Sequence, residues 1–417
     1  MIQSIFPPIG AILSTHDSPT VKANANLRNL EMPSKKVTEE INSFGDSAGI
    51  ELERPLEQEE IVIGEPFNPD DIDINTRSMT IDLLLSRIED EAIDLAPDFQ
   101  RRAGIWNEKQ QSRLIESLLL RIPLPTLYAA EDSDENWVIV DGIQRLTTIA
   151  KFIAPEHINS APLKLRNLEY LGEVFNDCTF EELPARLKRR LRETELVVHV
   201  IKHGTPEEVK FNIFARINTG GLPLSAQELR HALIPGDVRD ILKNLAECEE
   251  FKSATNNSIR DERMAAREMA LRFIAFKLTK PNSYKERDFD RFLSHSMRAI
   301  NTLPSRTISR LTRDFKLSLQ TAIQIFEDDA FRKRYTANGS RYPINKALFE
   351  SISVSLSNLT QVQRDACVRN AKEIKKSFIS LMRQPEFDSS ISQGTGDASK
   401  VRRRFSAITK LLEDHAK

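Results

Sequence analysis

The stretch WVIVDGIQRLTTIAKF, residues 137–152, holds the residues best spaced for chemistry. An apolar strand that ends in Asp141-Gly142, with a helix starting at the glycine, presents free backbone N–H groups at the positive end of a helix dipole. Such an end suits an anion, and phosphate is the natural guest. A carboxylate beside phosphates, Asp141, is useful only if a divalent cation bridges it or if it orients a water. Arg145 lies one turn into the helix, and its planar fork matches phosphate oxygens. The same residues also suit an ordinary strand–helix turn with a capping aspartate and a solvated arginine. Two further segments carry cations. PDFQRRAGIW, residues 97–106, sets Gln100, Arg101 and Arg102 in a short loop closed by Trp106, where the arginines could hold phosphate and the indole could stack on a base. FARINTGGLPLS combines Arg216, Asn218 and a glycine pair just after a helix. Each also has a plain reading: a core tryptophan with surface arginines in the first, a helix C-cap followed by a new N-cap in the second.

These segments need elements to hold them. SMTIDLLLSRIEDEAI places Ile81, Leu84, Leu85 and Ile88 at helical spacing behind the candidate caps Ser78 and Thr80, and order is expected to begin near Ser78. NEKQQSRLIESLLLR predicts a second amphipathic helix, capped by Asn107 with Gln110 and striped by Leu114, Ile115, Leu118 and Leu119. IPLPTLYAA reads as a strand, EDSDEN as a polar turn, WVIV as a β-branched strand, and ELVVHVI at 195–201 as another. TPEEVKFNIFARINTGG predicts a helix with Thr205 as cap, Pro206 first and Glu208 completing a box, ended by Gly220 and Gly221. A second box, Ser225 to Glu228, opens a short helix that stops near Pro235-Gly236. Beyond Asp237 the patterns are almost all helical. The expected organisation is a mobile acidic tail over 1–75, an α/β domain over 76–235 and an all-α domain over 236–417.

A net charge of −2 and a pI near 6.4 exclude a bulk cationic field, so any contact with nucleic acid must come from a local patch. Cys178, Cys248 and Cys367 lie far apart and make neither a zinc knuckle nor a disulfide framework, which fits a reducing cytoplasm. The apolar start MIQSIFPPIGAIL has no basic flank and is too short to span a bilayer. Arg402, Arg403 and Arg404 in VRRRFSAITK read as a solvated basic face, and YKERDFDRF at 284–292 as an exposed helix.

PDFQRRAGIWNEKQQSRLIESLLLRIPLPTLY, then WVIVDGIQRLTTIAKF, then FNIFARINTGGLPLSAQELRHAL resemble, in order, spacing and residue type, the N-terminal domain of GmrSD-type restriction enzymes, the ParB-like family catalogued as domain of unknown function 262. The resemblance covers roughly 78–233. YPINKALF and SQGTGDASKVRRRFSAITKLL are similar to segments of standalone members. It implies a fold related to ParB and sulfiredoxin, an α/β mixed sheet with helices, here followed by the all-α C-terminal domain. It also implies nucleotide binding, NTP hydrolysis dependent on Mg2+ or another divalent cation, and a role in defence against foreign DNA. Carried across residue by residue, the family's DGQQR motif puts Asp141, Gly142, Gln144 and Arg145 at the nucleotide, with Asp141 toward the metal. Gln100 and Arg101 of the FQR motif, and Arg216 and Asn218 of the RIN motif, become its neighbours. The first glutamine of DGQQR is Ile143 here: hydrolysis would be weakened if that position contacts substrate, but its stripe with Leu146 and Ile149 favours a core position, where nothing is lost. GmrSD enzymes also carry a His-Asn-His nuclease, but His295 and His415 are isolated, so that half is expected to be absent and cleavage to fall to a partner nuclease. His157, His199, His203 and His231 read as surface or satisfied interior residues. The leading expectation is an NTP-hydrolysing subunit of a DNA-restriction system. A nickase using Asp141 and metal directly, and a non-catalytic binding module, are the alternatives.

Overall fold

The structure, a computed structural model, describes residues 37–41, 47–53, 72–95, 106–217, 225–259, 261–286 and 288–417. Val37 to Lys417 form one compact unit. Strands β1 (Glu39–Ile41) and β2 (Ser47–Glu51) pair as an antiparallel ladder. The sheet that positions the candidate site contains β3 (Ile74–Thr80), β4 (Ile93–Asp94), β5 (Leu127–Glu131), β6 (Trp137–Asp141) and β7 (Glu195–Ile201), in the order β3-β7-β5-β6-β4. It is mixed: β7 runs parallel to β5 and β6 parallel to β4, while the other neighbours are antiparallel.

Alternation along the strands decides what covers each face. In β7, Leu196, Val198 and Val200 are buried while Glu195 and Val197 are exposed, so one face joins Leu127, Ala129 and Ile139 in a core. Helices α1 (Ile81–Glu89), α2 (Glu108–Leu119) and α3 (Ile143–Ile153) close that core with Leu84, Leu85, Ile115, Leu118, Leu146 and Ile149. A short α4 (Gly172–Phe175) and α5 (Ala185–Glu193) follow. On the opposite face Ala130, Val140 and Ile201 pack against Phe214 of α6 (Glu207–Ile217) and Leu229 of α7 (Ala226–Leu233).

Local sequence explains several boundaries. Asn107 and Gln110 form the expected reciprocal capping box at α2, and Ser225 with Glu228 forms the one at α7. At α1 Thr80 is the cap, accepting from the Leu83 N–H at 3.2 Å. Ser78 is not a cap; it lies in β3 and donates to Glu195 across the ladder at 2.9 Å. The Thr205 hydroxyl accepts from the Asp73 N–H at 3.2 Å, tying the start of β3 to the end of β7. Gly220 and Gly221 lie outside the described residues.

The chain continues through α8 (Val238–Glu247), α9 (Glu249–Ala254), α10 (Ala265–Leu278), α11 (Phe289–Asn301), α12 (Ser305–Phe326), α13 (Lys346–Asn358), α14 (Gln361–Arg369), α15 (Ala371–Met382), α16 (Pro385–Ser392) and α17 (Ala398–Asp414). Their apolar faces share one core, into which Ile50 of β2 also inserts. For the described residues 37–41, 47–53 and 72–75, that insertion corrects the expectation of a mobile tail; the rest of 1–75 lies outside the described residues. Gly49 and Glu51 exchange backbone hydrogen bonds with Ile344 at 3.0 and 2.8 Å, and β3 begins at Ile74. Three acids of this stretch are counter-charges to buried cations. Glu53 takes a bidentate pair from Arg272 at 3.0 and 2.5 Å, Glu51 accepts from Lys333 at 2.5 Å, and Glu40 accepts from Lys346 at 2.8 Å. Burial alone would neutralise Glu53 and Glu268, but Arg272 and Lys346 hold both carboxyls below the ordinary glutamate range.

The same network overturns two surface expectations. Arg404 is fully buried, donating to Glu350 through Nε at 2.9 Å and to the Thr395 carbonyl at 2.7 Å, whereas Arg402 and Arg403 stay exposed. Tyr284 is buried and donates to the Gly396 carbonyl at 2.8 Å, with helix α11 starting only at Phe289. Charge patterning cannot distinguish a solvated cation from one whose partner comes from another element of the fold.

Candidate functional site

Strand β6 ends at Asp141, and its last step is irregular. Ala129 pairs with Ile139 and Tyr128 pairs with Asp141, so β6 supplies one residue more than β5 between these positions. A bulge of this kind re-aims a side chain at a strand end. Gly142 then turns the chain with φ 88°, in the left-handed region, and serves as N-cap of α3 without any side-chain cap on the first turn. Only glycine fits: a Cβ here would stand 2.2 Å from Leu127 Cδ2 and 3.0 Å from Arg145 Nη2.

Arg145 turns back over this junction. Its Nη2 donates to Asp141 Oδ2 at 2.9 Å, and its Nη1 donates to the Pro125 carbonyl at the entry to β5. The Arg145 side chain is only 12% exposed and Asp141 is 35% exposed. Burial pulls the guanidinium below its ordinary value, and the Asp141 charge opposes that pull. The pair fixes a carboxylate and a fork of N–H donors beside the uncapped first turn of α3.

Gln144 lies next to them, half-buried, with its Oε1 accepting from the Trp106 N–H at 3.4 Å. Ile143 is 8% exposed and belongs to the core under the sheet. The departure from DGQQR is therefore an interior residue and leaves the exposed side of the turn to Asp141, Gln144 and Arg145. Gln100 and Arg101, read as neighbours of the nucleotide, lie outside the described residues, as does Asn218. Of the described chain on either side of the first pair, Trp106 bonds Gln144, whereas β4 pairs with the start of β6 at Trp137 and Val138. Arg216 is exposed in the last turn of α6, and the next residue, Ile217, packs into the cluster that includes Tyr128.

Two residues of the sheet were missed in the sequence. Tyr128 stands opposite Asp141, and its ring centroid is 4.8 Å from that of His199, whose Nδ1 lies 2.8 Å from Thr76 Oγ1. Pro125 supplies the carbonyl that holds Arg145. Neither role has a signature in the sequence, because both depend on strand pairing. Asp141 is the acid that could meet a metal. Among the described residues no group of three or more His, Cys, Asp or Glu side chains gathers to hold one. That donor set still fits Mg2+, which commonly takes one or two carboxylates and fills its sphere with water and substrate phosphates.

A mixed sheet whose inner strand β6 ends in an aspartate, a left-handed glycine and an uncapped helix characterises this α/β domain. Residues 81–235 match the family model described as GmrSD restriction endonuclease, N-terminal domain, so this part of the chain is a domain of that type. No curated protein matches the chain, and neither does any solved structure. Among the described residues no helix is long and apolar enough to cross a membrane.

Proposed function

We propose that the protein binds and hydrolyses a nucleoside triphosphate at the Asp141–Arg145 turn, as a component of a DNA-restriction or defence system in which turnover gates a partner nuclease. The observation that carries this reading is the Arg145 fork, braced on Asp141 and on the Pro125 carbonyl beside free helix N–H groups. The first-turn amides of α3 and the guanidinium are donors only, and together they favour the oxygens of a phosphate chain. Because Arg145 is already oriented and half-desolvated, it loses little conformational freedom when a phosphate arrives. Asp141 would hold the divalent cation, which when bound supplies charge neutralisation of the phosphates. Gln144, fixed through Trp106, lies where its amide can orient a water or the nucleotide.

The test is phosphate release from ATP, GTP, CTP and UTP, with and without magnesium and DNA, for the wild type and Asp141→Ala. Magnesium-dependent turnover that disappears in the variant is expected. Nucleotide binding without turnover in the wild type would refute the hydrolytic reading and leave a regulatory module.

A further inference from the structure

Helix α5, ARLKRRLRE, is held to the α/β core by little more than Leu187 and Leu191. Apart from Ala185 and the terminal Glu193, the rest of its residues are basic. Two of its cations are matched, Lys188 by Glu181 at 2.7 Å and Arg192 by Asp82 at 2.8 Å. Arg186, Arg189 and Arg190 form no ion pair among the described residues, and neither does Arg121, just beyond the end of α2. Arg186 and Arg190 are four residues apart, hence on one face of the helix, and like charges at that spacing destabilise it. Helix α2 packs on α5 and Arg121 follows close after its end; partial burial, then repulsion by Arg121 and Arg186, holds Arg190 below the ordinary arginine value. A chain of net charge −2 thus concentrates unneutralised guanidinium groups at the junction of two helices. The same connection runs on from Arg121 to Pro125, whose carbonyl Arg145 grips.

We propose that Arg121, Arg186 and Arg190, flanked by Arg189, form a docking face for the phosphate backbone of duplex DNA. Arginine forks spaced along an exposed helix match successive phosphate oxygens, and their contacts carry no base preference. The family match, with its link to DNA restriction, selects DNA among polyanions. The face does not depend on the nucleotide reading.

The experiment measures binding of a fluorescein-labelled, unmodified duplex to the full chain by anisotropy over a series of KCl concentrations. Wild type is compared with the triple variant Arg121→Gln/Arg186→Gln/Arg190→Gln and with Asp141→Ala; circular dichroism checks that each is folded. The triple variant should lower the slope of log K against log [salt] by about 2–3, at roughly 0.9 per phosphate contact. The single variant Arg190→Gln should lower it by about 1. Asp141→Ala should leave affinity and slope unchanged while phosphate release is lost, so the two readings fail separately. Wild-type slope and affinity in the triple variant would overturn the proposal. So would a wild type that binds phosphatidylserine vesicles but not duplex, or neither.

Discussion

Substituting Gly142 by alanine tests whether the turn is built as described. The backbone there lies at φ 88°, where a non-glycine residue costs about 1–2 kcal/mol. The new Cβ would also sit 2.2 Å from Leu127 Cδ2 and 3.2 Å from Arg145 Cζ, and overpacking of this kind costs about 1–3 kcal/mol. Together these predict a loss of about 2–5 kcal/mol. Leu127 is 2% exposed, so Leu127→Ala alone should cost about 2–5 kcal/mol through its cavity. In the double variant the methyl enters space vacated by leucine, so the overpacking vanishes and the losses should fall short of additive by about 1–3 kcal/mol. Urea unfolding followed by intrinsic fluorescence suits the measurement, because the two tryptophans of the chain, Trp106 and Trp137, both lie in the α/β part. Phosphate release should fall in Gly142→Ala and recover partly in the double variant as Arg145 regains its seat. Additivity within about 0.5 kcal/mol would refute the packing argument.

Three further outcomes follow from other contacts. Glu116, 3% exposed, accepts from the backbone N–H groups of Glu169, Tyr170 and Leu171 at 2.7–2.9 Å; against the desolvation of burial, these bonds hold its carboxyl below the ordinary glutamate value. Glu116→Gln should therefore cost about 2–3 kcal/mol at neutral pH. A carboxyl depressed in the folded state contributes fully above the unfolded value of about 4.3 and loses its contribution as pH falls through the lower folded value, so the wild-type advantage in urea should shrink in acid. Glu53→Gln removes the charge opposite buried Arg272, and hydrogen exchange at the β1–β2 amides should accelerate while that at β6 stays unchanged. Arg145→Lys cannot span both the Pro125 carbonyl and Asp141, and should lower kcat with little change in the melting temperature.

The strands and caps of the α/β part were legible because they obey short-range rules. ELVVHVI over 195–201 is β7, and the Asn107–Gln110 and Ser225–Glu228 boxes start helices as expected. Asp141, Gly142, Gln144 and Arg145 come together at one turn because they are neighbours in sequence. Tyr128 and Pro125 reach that turn only through the pairing of β5 with β6, which no local pattern encodes. The acids at 40, 51 and 53 looked solvated because their partners, Lys346, Lys333 and Arg272, are remote. The LKRRLR run of α5 was visible in the sequence and was passed over; four cations within six residues of a net acidic chain were the available signal.

The docked hairpin also sets a timetable for folding. Glu53 meets Thr395 across 342 residues, Glu40 meets Lys346 across 306, and Glu51 meets Asn345 across 294. Contacts of such separation slow folding, because loop closure precedes any compensating burial. During synthesis the acidic strands leave the ribosome long before their cations, while the domain over 81–235 can assemble from nearer contacts. The helical half is then completed last, when α17 brings Arg404 onto Glu350 and the oldest part of the chain is finally enclosed.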